Sequence, residues 1–466
     1  MKPYIQTYMK PNEHYRRTMR QSLQRLIICL AVIIALPHQA AAQIRGNNIT
    51  VTVTPDHKDW TYRTGEKATF TVCVLKSGTL LDNASISYEL GPEMYPEVKK
   101  DMVLKKGSTT ISGTMKRPGF LKLRAVAHVG GKDYEAWCSA AFSPEKIQPT
   151  AQCPKDFDAF WTQTIAEARN TALMPHLELL PERSTADVLT YHVSFQNDRW
   201  GRRVYGILNV PAKAGRYPAL LRVPGAGVRP YQGDEWTARK GVIVLEIGIH
   251  AIPVTNPQKY YDDLFAGPLA DYWHNATADR YRNYYRHVIT GCIRSIDFIE
   301  QLGSLPTLTA AWDGKNLGVT GSSQGGFLTI ATTALDKRVT CYAPIHAAMC
   351  DYEAALHKQA CGWPHYYYDE QRQQPRADID QHMVNEARYY DGVNFARRIT
   401  VPGYFSFGYN DNVVPPTTAY GTYNVAEERK PSRHTSRQPT SGTRSNGTSG
   451  RHTCSSISVS ANKKTP

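Results

Sequence analysis

The sequence predicts an α/β fold, a largely parallel sheet flanked by helices, preceded by an all-β sandwich. Two patterns predict it. From Ile49 to about Ser143, short runs alternate apolar and polar residues between turn signals, with no helical stretch of ten residues. After Pro154 the period changes, and apolar runs of strand length alternate with helical stretches. A chain of 466 residues that is 41% apolar can bury a sizeable core.

Charge narrows the function classes. The 55 Lys+Arg against 41 Asp+Glu leave a net +14, which taken alone suggests a polyanionic partner. Residues 1–42 hold six basic residues and one acid, residues 425–466 hold eight and two, and the 382 between keep only +3. The excess belongs to the ends, which argues against a nucleic-acid-binding body.

The first end reads as a targeting segment. Leu26 to Leu36 is an uninterrupted apolar run, followed by Ala40-Ala41-Ala42. As a helix that run spans only about 16 Å, short of a bilayer core of ~30 Å. A basic stretch, a short apolar core and an Ala-x-Ala site describe a secretory signal cleaved after Ala42, with initiation at Met19. The expectation is a periplasmic or secreted protein with no stable membrane anchor. Nine cysteines without a Cys-x-x-Cys pair suggest no zinc site. Cys73 and Cys138 lie in strand-like segments, either paired or as small buried apolar residues.

Residues 43–146 read as an immunoglobulin-like sandwich. Its strands include Ile49–Val53, Ala68–Val74 and Leu121–Val126, with turns at Lys76-Ser77-Gly78, Lys106-Gly107-Ser108 and Gly130-Gly131-Lys132. No cluster of titratable residues marks chemistry there. Pro144–Pro154 forms a linker, and residues 147–424 form the second unit. An amphipathic helix opens it from Asp156 to about Asn170. Strand-like runs follow at Arg203–Val210, Ala219–Val223, Val242–Ile247, Leu317–Thr320 and Gly403–Phe407, with a helix at roughly Tyr281–Leu302 before the fourth.

The chemistry concentrates at Gly321-Ser322-Ser323-Gln324-Gly325-Gly326. A strand enters, glycines flank Ser323 where the turn is too tight for side chains, and a helix leaves from Phe327. That is a nucleophile elbow, which lifts the serine Oγ above the sheet edge. Ser322 also carries a hydroxyl, but only Ser323 has the Gly-x-Ser-x-Gly frame. Asp411 sits just beyond a later strand in a loop closed by Pro415-Pro416, placed to orient a histidine. The oxyanion donors are expected from the amides of Gln324 and of Ala226, the latter in Val223-Pro224-Gly225-Ala226-Gly227.

Gly321-x-Ser323-Gln324-Gly325-Gly326, Asp411-x-x-x-Pro415-Pro416 and Pro154-x-Asp156-Phe157-Asp158-x-Phe160-Trp161 resemble the acetyl xylan esterase / cephalosporin-C deacetylase family. The resemblance covers about Pro154 to Asn424, and Tyr284-Tyr285-Arg286 and Arg294–Phe298 look like that family's long helix before the nucleophile strand. It implies the α/β-hydrolase fold and a serine esterase that removes acetyl groups from xylan or xylo-oligosaccharides, with no cofactor and no metal. The implied partner is an acetylated carbohydrate, and an oligomer is allowed because the family often assembles into rings. Two departures reshape the pocket. Where the family has His-Gly-Tyr, this chain has Pro224-Gly225-Ala226; where it has Arg-Gly-Gln, it has Ile247-Gly248-Ile249-His250.

The family's triad ends with a histidine a few tens of residues after the acid, and here the text changes. Residues 425–466 hold fifteen Ser+Thr and only Val425, Ile457 and Val459 as large apolar residues. Such a composition predicts a disordered tail with no final strand or helix. His434 and His452 are the histidines left in it, each in a Ser/Thr/Arg-rich stretch, so the catalytic histidine is unassigned. Read two nucleotides out of frame, Pro439–Arg444 permits His-Phe-Trp-Tyr-Pro, which points to a frameshift near Asn424–Val425. Without its base the chain would be an inactive, carbohydrate-binding relic. A peptidase on the same fold is disfavoured because no propeller-like domain precedes the hydrolase. Resequencing the gene across codons 420–466 is expected to reveal the shifted frame; an intact frame with strong coding bias through Pro466 excludes it.

Overall fold

The computed structural model describes residues 48–427, 435–438 and 457–461. The signal segment and both tail histidines, His434 and His452, lie outside the described residues.

The first body is built from nine strands: β1 (Ile49–Pro55), β2 (Thr61–Tyr62), β3 (Ala68–Lys76), β4 (Thr79–Leu80), β5 (Ala84–Pro92), β6 (Val98–Leu104), β7 (Ser108–Gly113), β8 (Gly119–Val129) and β9 (Lys132–Phe142). One sheet runs β1-β3-β4 with β7 also on β3, and the other runs β2-β9-β8-β5-β6. Alternation along β3 buries Phe70, Val72 and Val74 between them. The same alternation answers the cysteine question. Cys73 points to the opposite face of β3 while Cys138 lies in the core, and both thiols are free. Gly107 turns at φ +66°, where a Cβ would sit 2.7 Å from the Leu81 amide nitrogen.

Strands β8 and β9 have two occupied faces. Leu121, Leu123, Cys138 and Ala140 fill the sandwich core, whereas Phe120 and Ala141, register partners, belong to the core of the second body. Phe120 meets Tyr409 edge-on at 4.9 Å.

The second body opens with α1 (Phe157–Arg169), whose buried Phe157, Phe160, Trp161, Thr164, Ile165 and Ala168 recur at helical spacing. The main sheet comprises β10 (His176–Leu179), β11 (Val188–Gln196), β12 (Arg203–Pro211), β13 (Gly215–Arg222), β14 (Ile243–Ile247), β15 (Ala310–Ser322), β16 (Cys341–Ile345), β19 (Phe405–Phe407), β20 (Thr435–Gln438) and β21 (Ile457–Ala461), while β17 (Tyr368–Asp369) and β18 (Gln374–Pro375) pair with each other apart from it. Its order is β10-β11-β12-β14-β13-β15-β16-β19-β21-β20; β14, β13, β15, β16 and β19 are mutually parallel. Beside it pack α2 (Glu235–Ala238), α3 (Gln258–Ala266), α4 (Tyr284–Gln301), α5 (Gln324–Leu335), α6 (Gln381–Ala387), α7 (Gly392–Ala396) and α8 (Pro416–Glu427). From β13 the chain turns one way to β14 and then returns past it to β15. Loops after β13 and β15 are thereby parted at a topological switch point, where open α/β sheets form their crevices.

The tail departs from expectation in two respects. Helix α8 runs past the boundary at residue 424, with Val425 and Ala426 packed into the core, so the sequence remains consistent with the fold to at least that point. Strand β21 pairs antiparallel with β19, and β20 with β21. Antiparallel addition at a sheet edge needs only backbone groups and a period-two pattern, and Ile457-Ser458-Val459-Ser460-Ala461 supplies that pattern.

The stretch read as a linker is tied down. Asp351 Oδ1 accepts from the Thr150 amide (2.9 Å), the Thr150 hydroxyl (2.7 Å) and the Ala151 amide (2.8 Å). Asp391 in turn accepts the amides of Asp351, Tyr352 and Val393, each at 2.9 Å. Burial pushes Asp391 up to about 7, helped by the charge of Asp351, and burial pushes Asp351 up to about 6. A carboxyl raised in the folded state stabilises fully below its ordinary value of 3.8, and that contribution is lost as pH rises through about 7. Asp391→Asn is expected to lower the melting temperature most at acid pH, with the gap to wild type narrowing from about pH 4 to about pH 7. A gap that widens over that range in thermal melts contradicts the assignment.

Candidate active site

Strand β15 delivers the chain into the elbow, and α5 carries it away from Gln324. Ser323 has φ 59° and ψ −120°, a conformation costing about 1–3 kcal/mol for a residue with a side chain. The backbone on either side holds it there. Ser323 N–H donates to Ile345 O at 2.9 Å, and its carbonyl accepts from Ala348 N–H at 3.0 Å. Gly321 and Gly325 are required by space, because a Cβ on either would lie 2.5 Å from Val223 O. The Gln324 amide, at the start of the helix, has no intrahelical acceptor and lies at the positive end of the α5 dipole.

The facing loop after β13 is braced from below. Gln324 is fully buried; its Oε1 accepts from the hydroxyls of Tyr272 (2.7 Å) and Tyr285 (2.8 Å), and its Nε2 donates to Pro224 O at 3.3 Å. The Tyr272 hydroxyl also accepts from Gly227 N–H at 3.2 Å. Arg229 donates to the carbonyls of Gly225 and Ala226. His250 completes the brace, with Nε2 3.1 Å from Gly227 O and Nδ1 2.6 Å from the Tyr284 hydroxyl. A carbonyl can only accept, so Nε2 carries the proton and Nδ1 takes the tyrosine's. Burial holds His250 down at about 4, with Arg229 acting the same way, so the ring is neutral at physiological pH. Among the described residues the Ala226 amide donates to nothing, which leaves it for a ligand. The family departure at His250 is thus a structural replacement that keeps the loop in place.

Asp411 lies in the loop after β19, its Oδ1 accepting from Val413 and Val414 amides at 2.9 Å each. Ser323, the two expected oxyanion amides and Asp411 therefore gather at the carboxyl ends of adjacent parallel strands. A histidine outside the sequence candidates, His346, stands directly after β16; its Nε2 is 2.7 Å from Ser322 Oγ, and its backbone N–H donates to Ser406 O at 2.5 Å. Burial lowers its pKa, opposed by the charge of Asp411. The signal was present: an apolar run, Cys341–Ile345, ends in a histidine one strand beyond the elbow. Among the described residues, no histidine hydrogen-bonds to Ser323 or to Asp411. Nor do three His, Cys, Asp or Glu side chains converge there as metal ligands.

Trp273 follows Tyr272, the tyrosine that braces Gln324. Trp363, whose carbonyl accepts from Met349 N–H, packs against Trp273 at 5.1 Å, and the Tyr366 hydroxyl donates to Trp273 O.

The acetyl xylan esterase family model matches residues 144–438. Acetyl esterase Axe7A of Xylanibacter ruminicola is 37% identical over 420 residues, 88% of this chain and 91% of that protein. Among solved structures, the acetyl xylan esterase from Paenibacillus sp. R4 superposes with a TM-score of 0.50 at 24% identity, over 62% of this chain and 90% of that one. At that identity the superposition speaks for the fold, an α/β-hydrolase.

Replacing Gln324 by Met would strip two buried tyrosine hydroxyls of their acceptor. Each such group costs about 1–3 kcal/mol, so urea unfolding of Gln324→Met is expected to show a loss of about 2–6 kcal/mol. A loss under about 1 kcal/mol rules out the brace as drawn.

Proposed function

The chain belongs to the acetyl xylan esterase family and is a carboxylic ester hydrolase, and from that premise we propose that it is an exported enzyme removing O-acetyl groups from xylan or xylo-oligosaccharides. The observation that carries the mechanism is the strained Ser323 at the helix start, facing a braced loop. Ser323 Oγ attacks the acetyl carbonyl, and the amides of Gln324 and Ala226 hold the negative charge that develops on its oxygen. A histidine oriented by Asp411 takes the serine proton and delivers it to the departing sugar oxygen, which leaves as the hydroxyl. Water, deprotonated by the same histidine, then releases acetate from the acetyl-serine. Trp273 and Trp363 offer flat apolar faces on which a pyranose ring can rest. Export rests on the apolar run and Ala-Ala-Ala site before Gln43.

The proton carrier has three candidates. His346 stands at the elbow on Ser322 and in the field of Asp411, whereas His434 and His452 belong to the tail. A second reading, an inactive homologue that retains the carbohydrate site, rests on the observation that among the described residues no histidine hydrogen-bonds to Ser323 or Asp411.

Acetate release from acetylated xylan and from p-nitrophenyl acetate distinguishes them. Ser323→Ala is expected to lower kcat by ~10³-fold or more, and Asp411→Asn comparably. Single His→Ala changes at 346, 434 and 452 identify the base. If it is His346, its lowered pKa keeps the ring neutral to more acid pH, so the acid limb of kcat/KM falls below the ordinary histidine value of 6.5. Equal rates for wild type and Ser323→Ala would leave only the inactive reading.

A further inference from the structure

We propose that the N-terminal sandwich is a positioning part of the active site, with β8, β9 and the turn after β5 clamping the loop that carries Asp411. The inference rests on Asp411 being the catalytic acid and adds to it the groups that hold that acid in place.

The contacts fall on either side of Asp411. Asn410, the residue before it, is held twice: its carbonyl accepts from the Trp137 indole N–H at 3.0 Å, and its Oδ1 accepts from the Ser139 amide at 2.9 Å. Asn412, the residue after it, accepts at Oδ1 from the Lys122 ammonium. That ammonium also lies 5.6 Å over the Trp137 ring, so one cluster grips both neighbours. Farther out, Phe120 packs edge-on against Tyr409 at 4.9 Å. At the loop's far end, Glu93 accepts from the Thr417 hydroxyl at 2.6 Å and from its amide at 3.2 Å.

Two features set this apart from generic contact between bodies. Glu93 is a charged side chain only 5% exposed, and burial pushes it up to about 8 against the pull of its Thr417 bonds and of Lys122. An ionisable group is retained there at a cost in desolvation, with the hydroxyl and amide of Thr417, at the start of α8, as its partners. The register is the second feature. Lys122 pairs with Ser139 and Arg124 with Trp137, which puts Lys122, Ser139 and Trp137 on the face of β8–β9 that leaves the sandwich core. Among the described residues Asp411's own hydrogen bonds stay within its loop, to Gly408, Val413 and Val414, so the grips on its neighbours are what tie the loop to the sandwich.

The test compares full-length Trp137→Phe and Lys122→Met with Glu93→Gln, which keeps an acceptor for Thr417, and with Lys99→Met, whose contact to Gln373 lies away from the loop. Hydrogen–deuterium exchange should speed up by about tenfold in peptides covering 408–418 in the first two. Peptides of β15 and α5 should keep wild-type exchange, as should every peptide of Lys99→Met. Misplacing a catalytic group by a fraction of an ångström is expected to cost about tenfold in kcat with KM unchanged. That drop should vanish in an Asp411→Asn background and be largely rescued by Glu93→Gln relative to Glu93→Ala. Unchanged exchange at 408–418, or a drop in kcat that persists undiminished without Asp411, would overturn the proposal. A wild type that releases no acetate sinks the esterase reading instead, and the exchange result then decides the clamp alone.

Discussion

A serine in a left-handed conformation does not stay there unaided. Ser323 is held by one hydrogen bond to the end of β16 and another from the turn beyond it, while Gly321 and Gly325 let the Val223 carbonyl approach where no side chain fits. That close approach fixes the spacing between β13 and β15. It thereby sets how near the loop at 223–227 comes to the start of α5. The placement of the Gln324 and Ala226 amides, the burial of Gln324 and its need for the Tyr272 and Tyr285 hydroxyls all follow from this one crowded crossing.

The polar groups around the site obey one rule: a buried acceptor is surrounded by donors that have no alternative. Gln324 takes two tyrosine hydroxyls, Asp391 takes three backbone amides, and His250 links a tyrosine to a loop carbonyl. None of these groups is a reacting atom in the proposed mechanism. The donors proposed there are backbone amides, so their direction is set by what holds the chain behind them.

What could be read along the chain was local. The strand runs, the helix over 284–301 and the elbow at Ser323 announce themselves through periodicity and glycine spacing within a dozen residues. The position of Asp411 just beyond a strand was legible because a proline-closed loop follows that strand. What escaped reading depends on distant partners. His346 ends an apolar run that the sequence shows, but its contacts exist only because Ser322 and Ser406 come to it from strands far apart in sequence. The residues at 150–151 look like linker, since the carboxylate that binds them lies some two hundred positions on. Cys73 and Cys138 were both placed on strands, but which face each occupied required the register. The tail was judged by its lack of apolar bulk, a criterion that misses a strand added at an edge through its backbone.

The alternation in β8 has a consequence for how this chain can vary. Phe120 and Lys122 answer to the hydrolase, Leu121 and Leu123 to the sandwich, and no position among the four is free. An insertion or deletion of one residue in this strand would exchange the two sets at a stroke, presenting leucines to the acid loop and a lysine to an apolar interior. Compensation would have to occur in both bodies at once. The two halves are therefore constrained to be inherited as a pair, and grafting a different sandwich onto this hydrolase would have to reproduce a registered strand face as well as a shape.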